Sequence, residues 1–336
     1  MRKIIFSIMI GSLLVLLAAC GETEVSSGAT NTKGDSEILK LAHDLGEDHP
    51  VHLALIKFAE TVEESSEGQI KIEIFSNGVL GNEREMLEQI QGGGIDITKV
   101  SAASLESFAS QYSVFSLPYV FDDEEHFFQS MESEAVGDLF ASTEDQGFLG
   151  LTWYDSGSRN FYTEDKPIMH PDDLDGLKIR VMDSRTQIEM MKALGGTPTP
   201  MPYGDIYTAI QSGVIDGAES NPTALTTGKH GEVAKAFSVD EHTRIPDVVV
   251  ISSSVWNNLT EEQQQILTDA AEESTEYQKE IWAEAIDVAK EEAENMGVEF
   301  YYPETEPFRE AASPLYEEYR KDERIAELLD AFNEIR

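Results

Sequence analysis

Two rhythms of hydrophobic and polar residues run along this chain. Ile70, Ile72 and Ile74 alternate with Lys71 and Glu73, the two-residue period of a strand with one buried face. Residues 39–43 read as a strand before it and residues 95–100 as a strand after it. Residues 50–66 read as a helix, with Leu53, Ile56 and Ala59 on neighbouring turns. Asn82 followed three positions later by Glu85 has the form of a capping box, and Gly92 to Gly94 ends the helix it opens. A β-α-β-α-β order of this kind implies parallel strands joined by crossover helices. A glycine triplet at a helix end and before a strand has the reverse order of a phosphate loop.

A second set is expected to begin at Phe148, with a strand at GLKIRVM, a helix over residues 184–194, and the block GVIDGAES. DVVVISS, from Asp247, returns as an apolar strand. Thr260 with Gln263 then caps a helical pattern reaching about Met296, whose stripe is Ile266, Ala270, Tyr277, Ile281, Ala285, Ala289 and Ala293. A helix that long can span two domains, and a chain of 336 residues exceeds one ordinary core.

The chain opens on Arg2 and Lys3, an apolar run from Ile4 to Leu17, and then Leu17-Ala18-Ala19-Cys20-Gly21. This is the form of a secretory signal ending in a lipobox, and the run is short for a transmembrane helix. Cys20 is the only cysteine, so no intrachain disulfide forms, and its place fits lipid attachment. Two acyl chains suffice for stable anchoring. Residues 1–19 are therefore expected as signal peptide, and residues 20–36 as a flexible tether on the outer face of the cell membrane.

The charge balance is 24 basic against 64 acidic residues. Such a surface excludes nucleic acid and anionic lipid as partners. Within it, Leu177, Ile179 and Val181 alternate with Lys178 and Arg180, giving a strand with one apolar and one cationic face. A guanidinium is costly to bury without an anion, and its fork matches a carboxylate. The two readings of Arg180 are a carboxylate receptor and an ordinary basic strand face paired with surface acid. Walker, dinucleotide and Gly-x-Ser-x-Gly signatures are absent, and no cofactor is expected. His43, Asp44, His49 and His52 have metal-ligating types without a spacing that fixes them on one face, so no metal is expected either.

DLDGLKIRVMDS, ALGGTPTPMPYGDIYTAIQSGVIDGAE and EHTRIPDVVVISSSVW resemble, in order, the solute-binding proteins of tripartite ATP-independent periplasmic (TRAP) transporters, the DctP-type family. The likeness runs from about Leu39 to about Tyr301. It implies an α/β, two-lobed periplasmic-binding-protein-like fold with a long helix spanning both lobes. Lobe I is expected at residues 37–156 plus 246–286, and lobe II at 157–245 plus 287–336. The implied role is a non-enzymatic, extracytoplasmic solute receptor. Its implied partners are an organic acid and the small and large TRAP membrane subunits, with transport driven by a sodium gradient.

The resemblance also implies site residues. Arg180 matches the arginine that holds the ligand carboxylate, and Arg159 a second arginine near it. The family asparagine after DGAE leaves both Ser220 and Asn221 as candidates, because serine stands at the first position here. Glu83 and His43 are expected toward the ligand's far end, Tyr203 over the ligand, and Ser101 beside it. A hexuronate or related sugar acid suits that set. A C4-dicarboxylate would want a second cation, for which only Lys99 offers itself. A ligand-binding sensor subunit reporting to a membrane kinase and a surface-anchored lyase or hydrolase are the other classes.

Overall fold

The computed structural model describes residues 36–336. The expected signal peptide, Cys20 and the tether up to residue 35 lie outside the described residues. Strands β1 (Glu37–Ala42), β2 (Ile70–Phe75), β3 (Ile97–Ser101) and β4 (Phe148–Tyr154) come first. They are followed by β5 (Ser158–Thr163), β6 (Lys178–Val181), β7 (Thr197–Pro200), β8 (Gly217–Ser220), β9 (Ala236–Arg244), β10 (Asp247–Ser252) and β11 (Glu299–Tyr301). They form two sheets, ordered β2-β1-β3-β10-β4 and β11-β9-β5-β8-β6-β7.

In the first sheet β1 lies parallel to β2 and β3, as the β-α-β-α-β pattern implies, while β10 runs antiparallel to β3 and β4. The strand at Phe148 thus completes the first sheet, and the second begins at Ser158. In the second sheet β6 is parallel to β7 and β8, and β5 is antiparallel to β8 and β9. The chain passes between the sheets three times, through the short crossings Asp155–Ser156–Gly157 and Ile245–Pro246 and then along the helix Glu261–Asn295. This is a two-lobed α/β fold.

Local signals account for the elements that position the site. Asn82 and Glu85 make a reciprocal capping box on the helix Glu83–Gly92, and Gly93 closes it at φ 73°, a conformation that only glycine adopts freely. Thr260 and Gln263 do the same at the start of the long helix Glu261–Asn295. Its Leu267, Ala270, Ala271 and Trp282 join the core under the first sheet, and Ala293 packs with Tyr162 and Phe237 of the second. The helix therefore spans both halves.

The expected apolar stripe on that helix is buried at Ala270, Ala289 and Ala293, but its middle is turned toward polar partners. Ser274 meets the Tyr154 hydroxyl at 2.8 Å and Thr275 meets the Thr152 hydroxyl at 2.5 Å. The Gln278 amide accepts from the Asp155 N–H at 2.9 Å and donates to the Asp155 carbonyl at 2.8 Å. The Asp155 carboxylate in turn receives Gly157 N–H at 2.9 Å and, at 3.1 and 2.7 Å, two nitrogens of Arg244 at the end of β9. One residue thus ties both short crossings to the long helix. Gln278→Ala strips two buried backbone groups of their partners, each costing about 1–3 kcal/mol. We expect a loss of about 2–6 kcal/mol in a urea unfolding experiment.

The last helix, Glu323–Ile335, was expected with lobe II. Its Ile325, Leu328, Leu329 and Phe332 instead pack with Phe115, Phe121 and Phe127 in the first lobe's core. Apolar partners, and not chain order, decide where the terminal segment sits.

Candidate functional site

Between the two sheets lies a cavity of about 260 Å³, at the C-terminal ends of the parallel strands of both. Open α/β sheets characteristically bind ligands outside the carboxyl ends of their strands. Seven of the residues singled out from sequence line it: Glu83, Ser101, Arg159, Arg180, Tyr203, Ser220 and Asn221. They come from β3, β5, β6 and β8, a helix N-terminus and a loop after β7.

Arg180 sits on β6, with Ile179 and Val181 in the core, Lys178 exposed and its own side chain buried at 4 % exposure. Its Nε donates to the Met201 carbonyl at 2.9 Å. Among the described residues its two terminal nitrogens have no hydrogen bond, and no carboxylate pairs with it. Burial lowers its pKa from the usual arginine value. A buried fork with both tines unfilled is built for an incoming anion.

Arg159 differs. Its Nε and Nη2 grip Glu219 at 2.5 and 2.9 Å, and Nη2 also reaches the Glu219 carbonyl at 2.7 Å. Glu219 is fully buried, and on its other side lies His242 Nε2 at 3.5 Å. His242 Nδ1 meets Asp240 at 2.9 Å, and its ring stacks on Phe161 with centroids 4.4 Å apart. Burial alone would raise the Glu219 pKa, but the Arg159 guanidinium first, and then the nearby His242 ring and the hydrogen bonds from Arg159, hold it down at about 2. Burial would lower that of His242, yet the Asp240 carboxylate, and after it Glu219, raise it to about 9. Arg159 is thus a cavity residue fixed from behind by an alternating chain of charges.

Asn221 and Ser220 also divide their tasks. The Asn221 amide donates to the Ser156 carbonyl at 2.9 Å and accepts from Thr223 N–H and hydroxyl at 2.9 and 2.7 Å. The Ser220 hydroxyl has no partner among the described residues. The Tyr203 ring lines the wall and leans on His230, centroids 5.3 Å apart.

At the far end Lys99, 2 % exposed, lies 3.4 Å from Asp44, 3.6 Å from Glu83 and 3.5 Å from Asp247. Burial works against its charge, but those carboxylates, Asp247 foremost, keep it protonated and raise its pKa. Glu83 accepts the Ser101 N–H at 2.8 Å and the Ser104 hydroxyl at 2.5 Å. Burial first, then the neighbouring Asp44, pushes its carboxyl up to about 7. Ser101 thus contributes its backbone to Glu83 while its hydroxyl caps Ala103 N–H at 3.4 Å.

His43 is not brought to the cavity. It is fully buried, with Nδ1 accepting Leu45 N–H at 3.2 Å and Nε2 2.9 Å from His52 Nδ1. Because Nδ1 accepts, Nε2 carries the proton and donates to His52. Burial, and then the charge of Lys99, lower its pKa to about 2, so it is a neutral packing group. His49 takes the lining position instead, with Nδ1 accepting Val51 N–H and Nε2 3.2 Å from the Thr223 hydroxyl. No group of three His, Cys, Asp or Glu residues among those described is arranged to hold a metal ion.

Sequence reasoning missed Asp44, His49 and Asp247 as cavity residues, and Glu219, His242 and Asp240 behind it. One signal was available: a lysine between Ile97 and Val100 in the strand ITKVS, and charged residues within the strand AFSVDEHTR, are costly to bury without partners.

The comparisons with known proteins agree with this geometry. Residues 41–322 match the model of the bacterial extracellular solute-binding protein, family 7. A TRAP periplasmic solute-binding protein from Anaerococcus prevotii, solved with bound α/β-D-glucuronate, is 41% identical. It covers 89% of this chain and 98% of its own, at a TM-score of 0.87. A second, from Sulfitobacter sp. NAS-14.1 with bound β-D-galacturonate, is 33% identical over 88% of this chain and 99% of its own, at a TM-score of 0.85. An uncharacterized protein of Salmonella typhimurium, YiiZ, is 43% identical over 86% of this chain and 88% of its own length. With a two-sheet fold, a cleft at the strand ends and a family match across most of its length, the chain belongs to the bacterial extracellular solute-binding proteins of family 7, as a solute receptor of the TRAP type.

Proposed function

We propose that the chain is a receptor for a hexuronate, which it delivers outside the cytoplasm to the small and large membrane subunits of a TRAP transporter. The observation that carries this reading is Arg180, a buried guanidinium aimed into the cleft with both terminal nitrogens unoccupied. It would take the ligand carboxylate, with Arg159 and the Ser220 hydroxyl beside it and Tyr203 against the sugar face. Asn221, whose amide is already engaged, would hold Ser156 and Thr223 in place. The hexuronates bound by the Anaerococcus and Sulfitobacter proteins support the choice of ligand. The two lobes would close by bending at Ser156–Gly157 and Ile245–Pro246. Anchoring through Cys20 rests on the lipobox alone. The receptor would return its ligand chemically unchanged, unlike a lyase or hydrolase.

A thermal-shift series tests this. A micromolar ligand supplied at millimolar concentration adds about 4 kcal/mol by mass action. D-Glucuronate and D-galacturonate should each raise the melting temperature by several degrees, and succinate and malate should not. Shifts with the two dicarboxylates alone would replace the hexuronate with a C4-dicarboxylate.

A further inference from the structure

We propose that Asp44, Glu83 and Asp247, gathered on Lys99, form an end wall that refuses a second anionic group. The cleft then accepts acids whose far end carries hydroxyl donors and rejects those with a carboxylate at both ends. The inference deepens the hexuronate reading and rests on it for the orientation of the ligand, carboxylate on Arg180 and far end on the wall.

The four side chains come from four places: the loop after β1, the first residue of the helix Glu83–Gly92, the middle of β3 and the first residue of β10. β3 lies between β1 and β10, and Asp247 is paired with Ser101, so these segments end at one edge of the sheet. There the three carboxylates fall within 3.4–3.6 Å of a single ammonium. All four line the cavity. One cation cannot neutralise three anions, and even with Glu83 protonated a negative charge remains in excess.

The free acceptors face the ligand. Glu83 has both oxygens occupied, by Ser101 N–H and the Ser104 hydroxyl. Asp44 gives Oδ1 to Lys99, and its Oδ2 has no hydrogen bond among the described residues. Its side chain is 13% exposed, against 17% for Glu83 and 9% for Asp247, and unlike Glu83 it keeps one oxygen free. An acceptor of this kind suits a sugar hydroxyl and repels a carboxylate. The two other buried cations of the cavity are already committed, Arg159 to Glu219 and Arg180 to the carboxylate at the ligand's near end. Arg84 and Asp183 lie at the cavity mouth, 3.9 Å apart and more than half exposed, and His49 is held neutral by burial. At an effective dielectric of ~20, a second carboxylate about 5 Å from one uncompensated charge is disfavoured by roughly two orders of magnitude. Lys99, the one cation a dicarboxylate could use, is outnumbered.

The test compares acids that differ only at the end remote from the clamp. Calorimetric titration of the purified protein with D-gluconate and D-glucarate should show at least a hundredfold preference for gluconate. Asp44→Asn and Asp247→Asn, each of which leaves Lys99 facing one aspartate beside Glu83, should each cut that preference to tenfold or less, through tighter binding of glucarate, and thermal melts confirm that each variant is folded. Equal affinity for the two acids in the wild type, or a preference that neither folded variant alters, overturns the end wall. D-Glucuronate is titrated alongside. If it fails to bind while the gluconate preference stands and narrows in the variants, the hexuronate reading falls and the end wall survives. No binding by any of the three acids overturns both.

Discussion

Arg180→Ala is expected to weaken hexuronate binding by about 3–5 kcal/mol, roughly two to three and a half orders of magnitude in Kd. The size follows from what remains. The ligand carboxylate would enter a dry cleft whose other arginine already spends Nε and Nη2 on Glu219. The same substitution should not destabilise the ligand-free protein in proportion, because it removes a buried cation that has no anionic partner among the described residues. Ligand-free melting temperature and ligand-induced shift therefore separate. The first should hold or rise and the second should vanish. Arg180→Lys keeps the charge but loses the fork, and should fall between. Full affinity in the alanine variant would end the clamp assignment.

Glu219→Ala should act on the protein itself. It leaves Arg159 and His242 as buried cations without their shared anion, a loss of about 3–5 kcal/mol of stability. The pH dependence gives the sign. Glu219 has a folded pKa near 2, below its ordinary 4.5. Its contribution is therefore complete above about pH 4.5 and is lost as pH falls toward 2. His242 is raised to about 9 from 6.5, so its contribution is complete below about pH 6.5 and is lost as pH rises through 9. Melting temperature against pH should show both arms. Glu219→Gln should flatten the acid arm and start the alkaline decline at lower pH, since His242 loses one of its anions. Arms identical in the variant and the wild type would show that the chain Arg159–Glu219–His242–Asp240 is not the source of either.

These two residues also mark what the sequence discloses. Arg180 was legible through the family resemblance of the KIRV block, since the alternation alone left it open between a carboxylate receptor and an ordinary basic strand face. The capping boxes at Asn82 and Thr260 were legible because a cap is settled within four residues. The Lys99 cluster was not, since its four members lie on separate segments that only the sheet order brings together. His43 and His49 flank one loop, and composition cannot say which ring turns inward; the hydrogen bond to His52 decides it. The middle of the long helix escaped for another reason. Its buried residues there are Ser274, Thr275 and Gln278, and a search for apolar periodicity does not register polar burial. The final helix escaped because its aromatic partners Phe115, Phe121 and Phe127 lie far back along the chain.

The junction at Asp155 has a mechanical consequence. With its backbone clasped by Gln278 and its carboxylate by Arg244, both short connecting segments leave from one fixed post. In the closure proposed above, torsion in the short crossings would fall on Ser156–Gly157 and on Ile245–Pro246, where the proline ring restricts it further, with the long helix as the third connection. The axis of that closure would then be a property of the scaffold and not of the cargo. Receptors that differ only in the end wall would swing through the same arc and show their membrane partner the same profile. Ligand preference can therefore drift by exchanging side chains such as Asp44 while the docking geometry is inherited unchanged.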